Sequence, residues 1–131
     1  MADVRILHVD DEPDIREVVG VSLGLDPEFE MRSCASGADA LVTAVEWSPS
    51  IILLDVVMPH MDGPTTLAKL RKNPQTTHIP VVFLTARTQS YEIEHYILLG
   101  AQGVFSKPFN PMTLAASIRD HLSRPSNHHV H

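Results

Sequence analysis

One cysteine, Cys34, stands alone in 131 residues. A lone thiol forbids an internal disulfide and a cysteine-based zinc site, and its place in an apolar run marks it as a buried strand residue without redox duty. Basic residues are scarce, with Lys plus Arg at 10 against Asp plus Glu at 16 and a formal net charge of −6. Phosphate backbones are held by clustered Lys and Arg, so the balance speaks against direct nucleic-acid binding. No apolar run approaches the ~18 residues that cross a bilayer, so no membrane role is expected. The opening MADVRILHVDDE meets acid at once and lacks a basic stretch followed by a long apolar core. It does not resemble a secretory signal, and a cytoplasmic location is expected.

What is present suits one soluble domain. The composition is 44% hydrophobic and 20% charged, that of an ordinary globule. At roughly 100–200 residues per domain, the length allows one compact unit. Such a unit buries something like two thirds of its unfolded surface and needs no metal or disulfide staple. The acid is unevenly spread. Nine of the 16 carboxylates (Asp3, Asp10, Asp11, Glu12, Asp14, Glu17, Asp26, Glu28 and Glu30) precede position 31, against two basic residues there, Arg5 and Arg16. Acid on a helix face is ordinary solvated surface. The run Asp10-Asp11-Glu12 differs because it directly follows an apolar strand.

Five short apolar runs read as strands: Val4 to Val9, Phe29 to Cys34, Ile51 to Leu54, Pro80 to Leu84, and Gly103 to Phe105. The third and fourth are apolar on both alternating faces, as in strands covered by helices on each side. Helical spacing fills the gaps. Ile15, Val18, Val19 and Leu23 form one stripe behind Pro13, a good first-turn residue. Ser36 to Asp39 reads as a capping box before Leu41, Ala44 and Val45, and Ser48-Pro49 ends that helix. Asp62-Gly63-Pro64 opens a third helix with Leu67 and Leu70, stopping before Asn73-Pro74. Ile93 and Ile97 precede Gly100, a C-terminal cap. Asn110-Pro111 starts a last helix carrying Leu114, Ile118 and Leu122. Five βα units in succession predict an α/β fold with a doubly wound five-stranded parallel sheet and right-handed crossovers. The domain is expected over residues 1–122. Residues 123–131 are expected to form a flexible tail with no output domain, its His128, His129 and His131 having no assigned role.

Ligands of such sheets bind beyond the carboxyl ends of the strands. Strand one ends in Asp10-Asp11, strand three in Asp55, strand four in Thr85-Ala86, and strand five runs into Ser106-Lys107-Pro108. Only the second strand delivers no reactive group, as expected at a sheet edge. Three carboxylates brought together repel, and their pKa values rise unless a cation is present. An all-oxygen set suits a hard ion such as Mg²⁺. Asp55 is the best-placed carboxylate nucleophile for a phosphoryl group. Mg²⁺, Lys107, the Thr85 hydroxyl and backbone N–H groups are available to neutralise the transferred charge. Each residue also has a plainer reading. Strand-end aspartates cap helices, Lys107-Pro108 and Thr85 suit turns, and Met58 and Met61 suit packing. His8, inside the first strand, reads as a hydrogen-bonded core histidine. Agreement among four strand ends favours a site.

The segments Ile6 to Glu12, Leu53 to Gly63, Leu84-Thr85-Ala86 and Lys107-Pro108-Phe109 resemble the receiver domain of bacterial two-component response regulators, in matching order and spacing over about residues 3–122. The resemblance implies a flavodoxin-like strand order 2-1-3-4-5 and Asp55 as phosphoacceptor. It implies Asp11 as a direct Mg²⁺ ligand, Asp10 as an outer-shell one, and Asp55 with the Val57 backbone carbonyl completing the set. Thr85 and Lys107 would hold the phosphoryl oxygens. The donor would be a histidine kinase or histidine phosphotransfer protein, and the output a protein target or dimer engaged through the fourth helix, fifth strand and fifth helix. No separate substrate is turned over, so the chain is expected not to be an enzyme beyond its own phosphorylation and dephosphorylation.

Three positions depart from or individualise that pattern. The aromatic switch residue common three places before the lysine is Val104 here, with Phe105 on the opposite strand face. Thr85 is therefore expected to move without an aromatic partner. Val57 and Arg87 occupy the positions that tune dephosphorylation, and an apolar Val57 cannot orient water, which predicts a long-lived phosphoryl group. Two rivals share parts of the site. A haloacid-dehalogenase-type phosphatase needs an Asp where Val57 stands, and an unphosphorylated pseudo-receiver would have lost the acidic pair, Asp55 or Lys107.

Overall fold

The computed structural model describes residues 4–86 and 88–123. The expected tail and its histidines lie outside them apart from Ser123, as does Arg87. The elements are β1 (Val4–Val9), α1 (Pro13–Gly24), β2 (Phe29–Cys34), α2 (Gly37–Trp47), β3 (Ile51–Asp55), α3 (Gly63–Lys72), β4 (Val81–Thr85), α4 (Ser90–Leu98), β5 (Gly103–Ser106) and α5 (Leu114–Leu122). The strands form one sheet in the order β2-β1-β3-β4-β5, every pairing parallel. The implied strand order and fold class are therefore correct.

Alternation along the strands divides the core in two. Leu7, Val9, Ile52, Leu54, Val81 and Phe83 face α2, α3 and α4, where Trp47, Leu67, Leu70 and Tyr96 pack against them. Ile6, Ile51, Leu53, Val82 and Leu84 face α1 and α5, meeting Val19, Leu23, Leu114 and Ile118. Strands β3 and β4 are buried along their whole length, as continuous apolar runs in a parallel sheet should be.

Local signals place most helix ends. The Ser36 side chain accepts from Asp39 N at 3.1 Å and the Asp62 carboxylate from Thr65 N at 2.9 Å, satisfying first-turn donors. Gly100 follows α4 with φ of 114°, the left-handed geometry a helix stop favours. Three expectations need correction. Helix α5 begins at Leu114, not at Asn110-Pro111, because the Asn110 side chain accepts from Met112 N at 2.9 Å and closes a separate turn first. Val18 leaves the α1 stripe and is 41% exposed. The anchor of α4 is buried Tyr96, edge-on to Phe83 at 5.1 Å, with Ile93 and Ile97 only half-buried.

Candidate phosphoacceptor and metal site

The register of the sheet brings the strand ends together. Asp55 pairs with Leu84 and Thr85 with Ser106, so Asp10, Asp55, Thr85 and Lys107 emerge at one edge. Asp10 is fully buried and Asp55 nearly so. The Lys107 Nζ donates to Asp10 Oδ2 at 3.0 Å and to Asp55 Oδ1 at 3.1 Å. One carboxylate oxygen from each of Asp10, Asp11 and Asp55 lies within 4.8 Å of the others, with Asp11 the more exposed member. The set expected from four strand ends is thus brought together in space.

Backbone geometry holds this edge in place. The other Asp10 oxygen accepts from Glu12 N at 2.9 Å, and Arg16 Nη1 donates to the Asp10 carbonyl at 2.7 Å. The loop after β3 turns at His60, φ 70°, and returns so that Gly63 N donates to Val56 O at 2.8 Å. A Cβ at Gly63 would stand 2.5 Å from the Asp55 carbonyl oxygen, so only glycine allows this approach. Lys107 N donates to Thr85 O at 2.9 Å, fixing the β4 and β5 ends relative to each other. Thr85 is buried. Val57 follows the strand with its side chain 72% exposed.

The electrostatics follow from burial. Burial pushes the Asp55 carboxyl above the usual carboxylate range, Asp10 and Asp11 add to that, and the Lys107 ammonium opposes it. Burial acts to lower Lys107, but hydrogen bonds to Asp10 and Asp55 carry it above its ordinary value. A buried carboxylate that resists ionisation beside two more acids is a cluster short of positive charge, and a hard divalent cation fits that donor set.

Two contributors were not visible as such in the sequence. Arg16 sits in the α1 stripe region and reads as a surface residue until the fold bends α1 over Asp10. His8 is buried as expected, but it is not hydrogen-bonded: among the described residues neither ring nitrogen has a partner. Its Nε2 stands 3.9 Å from Asp10 Oδ2. Burial outweighs the nearby Asp10 carboxylate and pushes its pKa down to about 4, with Lys107 and Arg16 adding to the depression. The ring is therefore neutral at physiological pH. Cys34 is buried on β2, as expected, with its thiol 3.4 Å from the Thr43 hydroxyl. Val104 packs on the α4 side of the sheet and Phe105 on the α5 side, as alternation required. Among the described residues, no helix is long and apolar enough to cross a membrane.

The fold recurs in known proteins. The family model for the response regulator receiver domain matches residues 6–119. Response regulator Rre1 of Synechocystis sp. is 35% identical over 92% of this chain and 52% of its own length. Response regulator PleD of Caulobacter vibrioides is 39% identical over 88% of this chain and 25% of its own. The chain thus spans about half or less of these relatives. Among solved structures, the Vibrio cholerae chemotaxis protein CheY4 is 33% identical with a TM-score of 0.83, covering 91% of this chain and 98% of that one. A putative response regulator from Chloroflexus aurantiacus is 30% identical with a TM-score of 0.83, covering 92% and 98%. With its acidic cluster, bridging lysine and 2-1-3-4-5 sheet, this chain belongs to the response regulator receiver domain family.

Proposed function

We propose that Asp55 accepts a phosphoryl group from a phosphohistidine on a histidine kinase or histidine phosphotransfer protein. The observation that carries this reading is the single ammonium of Lys107 bridging Asp10 and Asp55 at 3.0 and 3.1 Å. An Asp55 carboxylate oxygen attacks phosphorus, the P–N bond to the donor imidazole breaks, and the new P–O bond gives an aspartyl phosphate. Asp10, Asp11, Asp55 and the Val57 carbonyl would hold Mg²⁺, which when bound neutralises the carboxylates and the phosphoryl oxygens. Lys107 and the Thr85 hydroxyl hold those oxygens in line. The exposed, apolar Val57 offers no group to orient an attacking water, so the phosphoryl group is long-lived.

The donor's seat is the outer side of α1. Val18, Val21, Leu25 and Met112 are all exposed and line a groove of about 730 Å³. A second hollow shares Val18 and Pro111 with it and reaches Lys107, the residue that holds Asp55. Exposed apolar patches of this kind mark protein contacts. Output passes through α4, β5 and α5 to a protein target or a second copy, with Thr85 moving while Val104 replaces an aromatic switch.

Acetyl phosphate with Mg²⁺ should add one phosphoryl mass to the intact protein, labile to hydroxylamine and absent in Asp55→Asn. No mass gain under these conditions would favour a non-phosphorylated binding module. Val21→Glu should slow uptake from a phosphorylated kinase while leaving uptake from acetyl phosphate unchanged. Nothing in the site favours haloacid-dehalogenase chemistry, since Val57 stands where its acid would be.

A further inference from the structure

His8 has no part in the mechanism above, yet among the described residues it is the one fully buried imidazole beside the cluster. Alternation with Ile6 places it on the α1 and α5 face of β1, where it is 0% exposed. Its two ring nitrogens have no hydrogen-bond partner among the described residues. A buried donor left unpaired is costly, and such groups are rare enough to call for a cause. Asp10 Oδ2 stands 3.9 Å from Nε2, just beyond hydrogen-bond length.

That oxygen is occupied by Lys107 at 3.0 Å, and the same ammonium also holds Asp55 Oδ1 at 3.1 Å. A phosphoryl group on Asp55 adds strongly charged oxygens within reach of Lys107. Turning toward them takes the donor from a fully buried Asp10 oxygen, and a buried acceptor left without its hydrogen bond is costly even with a cation beside the cluster. A small approach of the His8 ring replaces the lost bond. We infer that His8 is a positioning residue, which donates its Nε2–H to Asp10 Oδ2 when Lys107 turns to the phosphoryl group and so keeps Asp10 in place. The inference rests on the phosphoacceptor reading for its trigger, but the hydrogen bond itself needs only the removal of Lys107.

The test is ¹⁵N NMR of the histidine rings in the whole protein. Lys107→Ala, with no metal added, should show His8 as the Nε2–H tautomer with a downfield, slowly exchanging ring proton. An Nδ1–H tautomer or a fast-exchanging Nε2 proton there overturns the inference. Mg²⁺ with beryllofluoride should bring the same signal out of the wild-type protein. If beryllofluoride does not bind, the phosphoacceptor reading falls, while the Lys107→Ala spectrum still decides the role of His8. A structural role is separated by opposite signs. His8→Leu should raise the Tm by removing an unpaired polar group, yet lose about tenfold in beryllofluoride affinity, the worth of one charge-assisted hydrogen bond. His8→Gln, with an amide N–H near the Nε2 position, should recover most of that loss. Affinity unchanged in His8→Leu means a merely tolerated core histidine.

Discussion

Two clusters in this molecule each have one cation bridging two carboxylates, and they behave in opposite ways. At the carboxyl edge of the sheet, Lys107 joins Asp10 and Asp55, with side chains 19%, 0% and 7% exposed. At the outer corner, Arg119 of α5 joins Asp26 and Glu28 and lies over the Phe29 ring. Asp26 sits below its ordinary pKa, held first by the Glu28 backbone N–H and then by Arg119. Asp55 sits above its ordinary pKa, because burial outweighs Lys107. The exposed cluster is satisfied as it stands, whereas the buried one still lacks positive charge. An ion pair therefore does not show by itself whether a site is structural or waiting for a ligand; desolvation decides.

The largest test removes the reactive groups. Asp55→Asn should abolish phosphoryl uptake from acetyl phosphate, and Lys107→Ala should slow it by about 100-fold or more, the loss expected for one charge-stabilising donor. Asp26→Asn should leave the rate unchanged. Rates read by intact mass would check all three, and equal loss in Asp26→Asn would erase the distinction.

Next comes the pH dependence of the buried cluster's neighbour. His8 has a folded pKa of about 4 against an ordinary 6.5, so the unfolded chain takes the proton first. Stability is therefore independent of this group above pH 6.5 and falls as pH drops from there toward 4, on the order of 3 kcal/mol in all. Denaturant titrations without Mg²⁺ should show that slope in the wild type and a flatter one in His8→Leu.

The two aspartates should then give stability slopes of opposite sign. Because the folded pKa of Asp55 is raised, its ionisation costs stability as pH climbs from the usual carboxylate value of 3.8. Metal-free Asp55→Asn should accordingly have the higher Tm at pH 7, with the gap closing as the pH falls toward that value. The folded pKa of Asp26 is lowered, so its contribution is present above 3.8 and fades below it. Asp26→Asn should be slightly less stable at pH 7 and equal in strong acid. Matching slopes would mean that burial does not separate the clusters.

The smallest effect belongs to the surface. Arg119→Met keeps most of the packing on Phe29 and removes the exposed pairing, so Tm should barely move, and less at high salt than at low. Mg²⁺ should raise the Tm of this variant as much as that of the wild type, since binding stabilises through the other cluster.

Much of this site was legible in the linear order of residues. Asp10, Asp11, Asp55, Thr85 and Lys107 each follow an apolar run, and parallel strands must put their carboxyl ends on one edge. Helix starts at Ser36 and Asp62 were equally readable, because their caps are local. The errors came where a contact outside the helix's own spacing intervenes. Asn110 forms its own turn, delaying α5. Tyr96 anchors α4 through Phe83, which no spacing rule within α4 reveals. Val18 falls on the apolar stripe yet faces outward, because α5 covers less of α1 than the stripe offers.

The sequence by itself determined the alternation of strands and helices, the two-sided burial of β3 and β4, and which polar groups stand at strand ends. Periodicity and turn chemistry are properties of neighbours in the chain, so they can be read there. Only the tertiary structure decided that one ammonium serves two acids, that Asp55 is buried enough to resist ionising, and that His8 lies unpaired 3.9 Å from Asp10. Distance and desolvation belong to groups brought together from separate strands, and no local pattern carries them.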